Sequence, residues 1–495
     1  MTRIVFSDLS FGFALPLFEG LSAVFDVGWT GLVGANGAGK TTLLRLIAGE
    51  LAPSGGSVRA AGSVVWCRQQ SRDGLEALRR FALDSSKPAR RWQGQLGLES
   101  EQLERFERLS SGERKRWQLA LALSSEPDVL LLDEPTNHLD REARALVVSA
   151  LRGFRGTGLL VSHDRALLDA LCVRTARVRQ RSLEIQPGNY SAAQAEWGAQ
   201  REATRAAKVG LRREAARLAQ RADERRRSAE SAERERSTAR RAKGKHDHDA
   251  RTLLAKNKAE MAGRRLAREA SALGSRLERV QREADALHVE HELGGELFAD
   301  YVAWSKPIVL RLSLDALHAG PRRLLGPTVL DVARTDKLVL RAPNGSGKTR
   351  LIMELLQQNP RVAELGVYLP QSLPEDAQGE LQVRLSGLER GARGRVLSFV
   401  AALGTDPDAL LRSDAWSPGQ TRKLALAFGL AEHAPALILD EPTNHFDLPS
   451  IERLERLLCA FPGCVVLVTH DDALAQRVGT RFCDIEGESL IERQR

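Results

Sequence analysis

Apolar residues recur along this chain in two rhythms, and the rhythm changes with position. Met1-Thr2-Arg3-Ile4-Val5-Phe6-Ser7-Asp8 alternates like a half-buried strand rather than a signal peptide. Short apolar runs then predict strands at Thr30-Gly31-Leu32-Val33, Ser63-Val64-Val65-Trp66 and Leu159-Leu160-Val161-Ser162. Asp128-Val129-Leu130-Leu131-Leu132, apolar almost throughout, reads as a strand buried on both faces in a parallel sheet. A helix is expected from near Arg114, after Leu109-Ser110-Ser111-Gly112-Glu113.

The middle of the chain behaves differently. No proline falls between Pro187 and Pro307 and no aromatic between Trp197 and Phe298, and good helix formers fill the interval. Leu253, Leu266, Leu273, Leu277, Val280 and Leu287 recur mostly at steps of four and seven, which predicts two long helices meeting along a narrow antiparallel seam. The run from Arg240 to Asp249 with Gly244 inside it breaks the rhythm and predicts the tip of a helical hairpin. Arms of roughly 40 residues would reach about 60 Å. His246-Asp247-His248-Asp249 at that tip reads as a solvated turn rather than a chelate.

Charge sharpens this division. The chain of 495 residues carries a net charge of +9. Between Arg201 and Val280 stand 24 Lys and Arg against 12 Asp and Glu, so the interval holds +12 and the remainder −3. A balanced mixture would solvate a hairpin equally well, whereas a two-to-one excess of cations suits a phosphate backbone. Arg240, Arg241, Lys243 and Lys245 are the candidate nucleic-acid contacts, the RNA contacts if the partner is RNA. The five cysteines, odd in number and scattered through apolar surroundings, are expected to be small buried hydrophobes rather than disulfides or cluster ligands. No stretch approaches the 18 or so consecutive apolar residues of a membrane span, so no membrane association is expected.

The same phosphate-handling residues occur twice. Gly34-Ala35-Asn36-Gly37-Ala38-Gly39-Lys40-Thr41, with Thr42, reappears as Ala342-Pro343-Asn344-Gly345-Ser346-Gly347-Lys348-Thr349. Asp133-Glu134-Pro135-Thr136-Asn137-His138 reappears as Asp440-Glu441-Pro442-Thr443-Asn444-His445. Ser110 and Ser417 each stand 23 residues before the acidic pair, and His163 and His470 each stand 30 after it. Two matching intervals identify an internal repeat. Backbone amides of such a glycine loop cradle phosphates, the lysine reaches the outer ones and the threonine hydroxyl binds magnesium. Asp133 is placed to hold magnesium through water, Glu134 to polarise the attacking water, and His163 to contact the terminal phosphate.

In this order, glycine loop, Gln69, Leu-Ser-x-Gly-Glu, Asp-Glu-Pro-Thr-Asn-His-Leu-Asp and histidine, the chain resembles the ATP-binding-cassette ATPases over both repeats. Two cassettes, Asp-Glu-Pro-Thr-Asn-His in each, a charged helical linker and Gly188-Asn189-Tyr190-Ser191 before it resemble the ABC-F translation factors in particular. The resemblance implies an α/β fold: a first P-loop ABC ATPase domain at 1–195, a basic helical-hairpin linker at 196–303 and a second ATPase domain at 304–495. It implies a head-to-tail sandwich with ATP and Mg²⁺ at two sites. Lys40, Thr41, Gln69, Asp133, Glu134 and His163 would share one ATP with Ser417 and Gly419. Lys348, Thr349, Gln371, Asp440, Glu441 and His470 would share the other with Ser110 and Gly112. Glu134, Glu441, His163 and His470 carry the catalytic roles, and Thr41, Gln69, Asp133, Thr349, Gln371 and Asp440 the metal. Phe11 stands where the family often carries a base-stacking tyrosine.

The partner so implied is the ribosome, with the hairpin tip near transfer RNA and ribosomal RNA, in a monomeric cytoplasmic protein serving translation or antibiotic resistance. The alternatives are the ATPase subunit of an ABC transporter, which has no use for such a hairpin, and a DNA-associated tandem ATPase. The chain stops 25 residues after His470 without a charged extension, which favours RNA over DNA. Only 41 residues separate Gln69 from Ser110, so no inserted helical arm is expected there. The second cassette departs from the pattern at Trp416-Ser417-Pro418-Gly419-Gln420, at Ala342 and at Arg350, and its stretch Leu314-Asp315-Ala316-Leu317-His318 offers no aromatic. Unequal sites are expected. Ser417 followed by Pro418 remains a favoured helix start.

Overall fold

The computed structural model describes residues 2–69, 75–137, 139, 141–179, 181–241, 249–287, 295–343, 345–374, 376–413 and 415–493. They divide into two units, one comprising Met1–Ala193 with Leu293–Arg495 and the other Gln194–Glu292.

Within the first unit the two repeats build the same sheet. In the first, six strands lie in the order Val64–Cys67, Val129–Asp133, Thr157–Val161, Gly28–Gly34, Cys172–Arg179 and Ser182–Pro187. In the second the order is Val367–Leu369, Ala436–Asp440, Cys464–Val468, Lys337–Arg341, Arg481–Glu486 and Ser489–Arg493. The first five of each set pair in parallel and the last pairs antiparallel. Central strands are buried end to end, which is why they read as unbroken apolar runs. Beside the first sheet, Ile4–Gly12 lies between Pro16–Phe25 and Gly55–Ala60 as an antiparallel layer. Its side chains Ile4, Phe6, Leu9 and Phe11 enter the core with Leu43, Leu44 and Leu131.

Parallel strands all end on one edge of the sheet, and that edge receives the loops that carry chemistry. Asp133 and Asp440 end their strands opposite Val161 and Val468. The helix predicted from near Arg114 begins earlier, at Ser111, because Ser110 accepts from the Glu113 amide while Glu113 reaches back to the Ser110 amide. Ser417 and Gln420 form the same reciprocal cap on the helix Pro418–Ala431. Between Leu75 and Arg108 the chain forms two short helices, Leu75–Ala82 and Lys87–Gln95, and a 3-10 turn, with no inserted arm among the described residues. Four of the cysteines are buried as expected, but Cys459 is exposed on the helix Leu448–Ala460, where it stands on the outward side of an amphipathic element.

The second unit holds most of two long helices, Tyr190–Arg241 and Asp249–Ala286. The first runs 52 residues, longer than the expected arm of roughly 40. Its packing partners for Leu273, Leu277 and Val280 are Leu211, Ala215 and Leu218. Arg276 pairs with Glu214 at 2.7 Å, and Lys208 Nζ donates to the Leu287 carbonyl at 2.7 Å. Lys243, Lys245 and Gly244 lie outside the described residues, as do the side chains of Arg240, Arg241 and Leu253.

Candidate functional site

Each phosphate loop is built by two glycines in the left-handed region, Gly37 and Gly39 at φ +79° and +99°, and Gly345 and Gly347 at +75° and +93°. A Cβ at Gly39 would also stand 2.4 Å from the Phe18 ring, so only glycine fits there. The loops open the helices Lys40–Ile47 and Lys348–Gln358, whose free amides and dipoles favour an anion. Lys40 Nζ donates to the carbonyls of Gly34 and Ala35 at 2.9 Å each. Lys348 does the same with Ala342 at 2.7 Å and Pro343 at 3.3 Å, so the alanine at the loop's start supplies the carbonyl that Gly34 supplies in the first cassette. Asn344 lies outside the described residues.

At the strand ends the hydroxyls of Thr41 and Thr349 donate to Oδ2 of Asp133 and Asp440 at 2.9 and 2.8 Å. Hard oxygen donors so arranged suit a divalent cation such as magnesium. Gln69 and Gln371 line the same cleft. Glu134 and Glu441 follow in the left-handed region, at φ 49° and 48°. That turn lets each amide donate across to the neighbouring strand, Glu134 to Val161 and Glu441 to Val468, both at 2.9 Å. Each carboxylate Oε2 then accepts from the backbone amide of the histidine 29 positions later, at 3.3 Å. The rings follow: His163 Nε2 lies 3.3 Å from Glu134 Oε1, and His470 Nε2 lies 3.5 Å from Glu441 Oε1.

These groups are nearly dry, and their proton affinities move accordingly. Burial pushes Glu134 up to about 8 and Glu441 up to about 7. Burial, reinforced by the charge of Lys40, takes His163 down to about 3 and leaves it neutral. Asp133 is raised by burial too. Oε1 of both glutamates is buried without a hydrogen-bond donor, an arrangement that awaits a polar group from outside the chain.

A cavity of about 640 Å³ gathers the first set. From the first cassette it is lined by Asn36, Gly37, Gly39, Lys40, Thr41, Thr42, Gln69, Asp133, Glu134 and His163; from the second come Ser417 and Gly419, and also Gln371, Glu441 and His470. Gly34 contributes a carbonyl rather than a wall. A second cavity of about 550 Å³ is lined by His318, Gly345, Gly347, Lys348, Thr349, Arg350 and Gln371, with Ala319, Gly320 and Leu324. The described lining of that cavity comes from the second cassette.

Phe11 requires a correction. It points into the core at 8% exposure, against Phe18 and Leu21, because alternation along Ile4–Gly12 turns it inward. Phe13, edge-on to it at 5.1 Å between ring centroids, is 68% exposed and lines the first cavity. The sequence reading also missed Asp447, whose Oδ2 accepts from the Asn36 amide at 2.7 Å across the two cassettes. Burial works against its charge, but donors from Ser450 and Asn36 hold the Asp447 carboxyl below its usual range. Arg422, 2% exposed, donates to the carbonyls of Pro370, Gln371, Asp440 and Glu441 and so pins the glutamine loop to the acidic pair. Its counterpart Lys115 donates to the Arg68 carbonyl. A cation at the same place in both repeats was the available signal.

A carboxyl raised in the folded state keeps its proton where the unfolded chain has lost it. The stability of the folded form is therefore full below about pH 4.5 and declines as pH climbs toward about 8 at Glu134 and about 7 at Glu441. Glu134→Gln with Glu441→Gln should raise the melting temperature at pH 8 by a few degrees, on the order of a few kcal/mol, and the gain should vanish near pH 5. Thermal melts of both proteins without nucleotide at the two pH values check this. Phe13→Ala should weaken nucleotide binding about five- to tenfold by losing a stacking face while leaving the melting temperature in place. Phe11→Ala should instead lower the melting temperature, and titration beside melting separates the two.

Residues 24–137 match the family model described as ABC transporter. The chain is 29% identical to the ATP-binding protein Uup of Caulobacter vibrioides, over 97% of this chain and 76% of that one. It is 28% identical to the ribosome protection protein VmlR of Bacillus subtilis, over 89% and 78%, and 26% identical to the erythromycin resistance ATP-binding protein MsrA of Staphylococcus epidermidis, over 93% and 92%. Among solved structures, a model of ribosome-bound archaeal Pelota and ABCE1 superposes with a TM-score of 0.60 at 17% identity, covering 98% of this chain and 78% of that one. The RNase-L inhibitor does so at 0.60 and 16%, covering 98% and 90%; both establish the fold. With two cassettes that repeat one sheet order and one set of site residues, and with these relatives along nearly its whole length, the chain is similar throughout to tandem ATP-binding-cassette proteins of the ABC-F kind.

Proposed function

We propose that this chain hydrolyses ATP and acts on the ribosome, with closure of the cassettes setting the basic hairpin against transfer RNA or ribosomal RNA. The observation that carries the ATPase half is the first cavity, where Lys40, Thr41, Asp133, Glu134 and His163 face Ser417 and Gly419 of the other cassette. Lys40 and the loop amides bind the phosphates, and the Ser417 helix start closes over them from the other side. Thr41 and Asp133, with Gln69, hold magnesium, which when bound neutralises charge on the phosphate oxygens. Glu134 Oε1, buried and without a hydrogen-bond donor, is the atom that takes a proton from water, and the His163 amide keeps the group oriented by donating to Oε2. Glu441 and His470 repeat the arrangement beside Lys348, Thr349, Asp440 and Gln371.

The ribosomal half rests on the relatives, two of which are named for ribosome protection and erythromycin resistance, and on the excess of cations in the interval 201–280. The reading takes the boundaries 1–195, 196–303 and 304–495 as the first cassette, the linker and the second cassette, and the protein as a cytoplasmic monomer. No helix among the described residues is long and apolar enough to cross a membrane.

The variant carrying Glu134→Gln and Glu441→Gln should retain ATP, lose steady-state hydrolysis by two or more orders of magnitude, and sediment with bacterial ribosomes in a sucrose gradient only when ATP is present. Protein remaining at the top of the gradient in ATP sinks the ribosomal reading, and retained hydrolysis sinks the catalytic one. Replacing Arg240, Arg241, Lys243 and Lys245 by Ala should flatten the salt dependence of ribosome binding, by a slope of up to about four, while ATP hydrolysis by the free protein stays within about twofold. Binding assays across a salt titration decide that point.

A further inference from the structure

The two repeats are offset by 307 residues, Asp133 to Asp440 and Asp164 to Asp471. Their catalytic residues correspond along that offset, but a polar seam between the cassettes does not. On the first cassette Arg165 extends Nη2 to Glu455 Oε1 at 2.5 Å and to Asp471 Oδ2 at 2.9 Å. The three side chains are 11, 12 and 18% exposed. Arg144 lies beside it, with Nε 3.1 Å from Asp164 Oδ2 and Nη1 donating to the His470 carbonyl at 3.3 Å. Tyr190, the first residue of the helix Tyr190–Arg241, donates its hydroxyl to Glu452 on the same acidic helix.

Every partner in this seam on the second cassette touches one loop or the helix next to it. Asp471 follows His470 directly, and its Oδ1 caps the helix Asp472–Val478 by accepting from the amides of Ala473 and Leu474 at 3.0 Å each. The loop that carries the second histidine is therefore gripped by a cation on Asp471 and by a donor on its own carbonyl, both from the opposite cassette. The charge of Arg144 reaches Glu441 as well and opposes the upward pull of burial there.

The mirrored seam cannot form. At the positions equivalent to Arg144 and Arg165 the second cassette has Ile451 and Asp472, and at those equivalent to Glu452 and Glu455 the first has Ala145 and Val148. At these equivalent positions, among the described residues, the cations stand on the first cassette and the anions on the second. Asp164 caps its own helix through the Leu167 amide at 3.1 Å, but the residue equivalent to Arg165 is an acid, which an acid would repel.

We propose that Arg165, with Arg144 beside it, is a positioning residue for the second nucleotide site only: it holds the His470–Asp471 loop from the first cassette, so that ATP turnover at Glu441 depends on cassette contact in a way that turnover at Glu134 does not. This rests on the reading of the two glutamates as the hydrolytic groups of two ATP sites.

The test uses the full chain in two backgrounds, Glu134→Gln, which leaves turnover to Glu441, and Glu441→Gln, which leaves it to Glu134. Arg165→Ala should lower kcat at least tenfold in the first background with KM within about twofold, and change kcat less than twofold in the second. Arg165→Lys, which keeps a cation between Glu455 and Asp471, should recover a good part of the loss. An equal loss in both backgrounds, or none in the first, overturns the proposal. Hydrogen exchange of the nucleotide-free full chain reads the same contact without catalysis: Arg165→Ala should speed exchange of the Ala473 and Leu474 amides and leave the Leu167 amide unchanged. If neither background hydrolyses ATP, the reading of the glutamates fails, and unchanged exchange at Ala473 and Leu474 then overturns the seam on its own.

Discussion

The candidate site is organised around a dry carboxyl group at the end of a parallel strand. Glu134 and Glu441 cannot be moved away from water cheaply, and the fold meets that cost by bending the backbone at each into the left-handed region so that the amide bonds to the strand bearing the histidine. Strand register does the rest. Because Asp133 pairs opposite Val161 and Asp440 opposite Val468, the acidic pair and the histidine arrive at one edge as parts of a single hydrogen-bonded ladder. No loop has to find the other.

With the acid and histidine fixed inside each cassette, what remains free is the opposite wall. Ser417 and Gly419 reach the first cavity from the other cassette, and Asp447 reaches Asn36, so the walls of that cavity come from both cassettes. The two cavities differ in this respect. One is walled by both cassettes, while the described lining of the other comes from the second cassette alone.

Much of this was legible in the residues, and the reasons for the exceptions are physical. The glycine loops, the acidic pairs and the histidines declare themselves because their spacing repeats and each residue type has a narrow use. Phe11 misled because an aromatic in an alternating strand is assigned to a face by a single-residue step, and Phe13 carries the same chemistry two residues on, past the end of the strand. Asp447, Arg144 and Arg165 were invisible because their partners lie hundreds of positions away, and no periodicity encodes a contact between two domains. The helix start at Ser111 was misplaced by three residues because a reciprocal cap, rather than helix propensity, decides where the first turn begins.

The hairpin's interior has a mechanical meaning. Where the helices meet, the buried residues among those described include Ala215, Leu218, Ala222, Ala270, Val280 and Ala284, with Leu211, Leu273 and Leu277 half-buried around them. Alanine lets two backbones approach but contributes little buried surface, and exposed ion pairs such as Arg276 with Glu214 add little more. A pair of helices so thinly glued sits at the low end of local stability within its own protein. Opening along this seam costs less than opening either sheet of the cassettes, whose central strands are buried end to end.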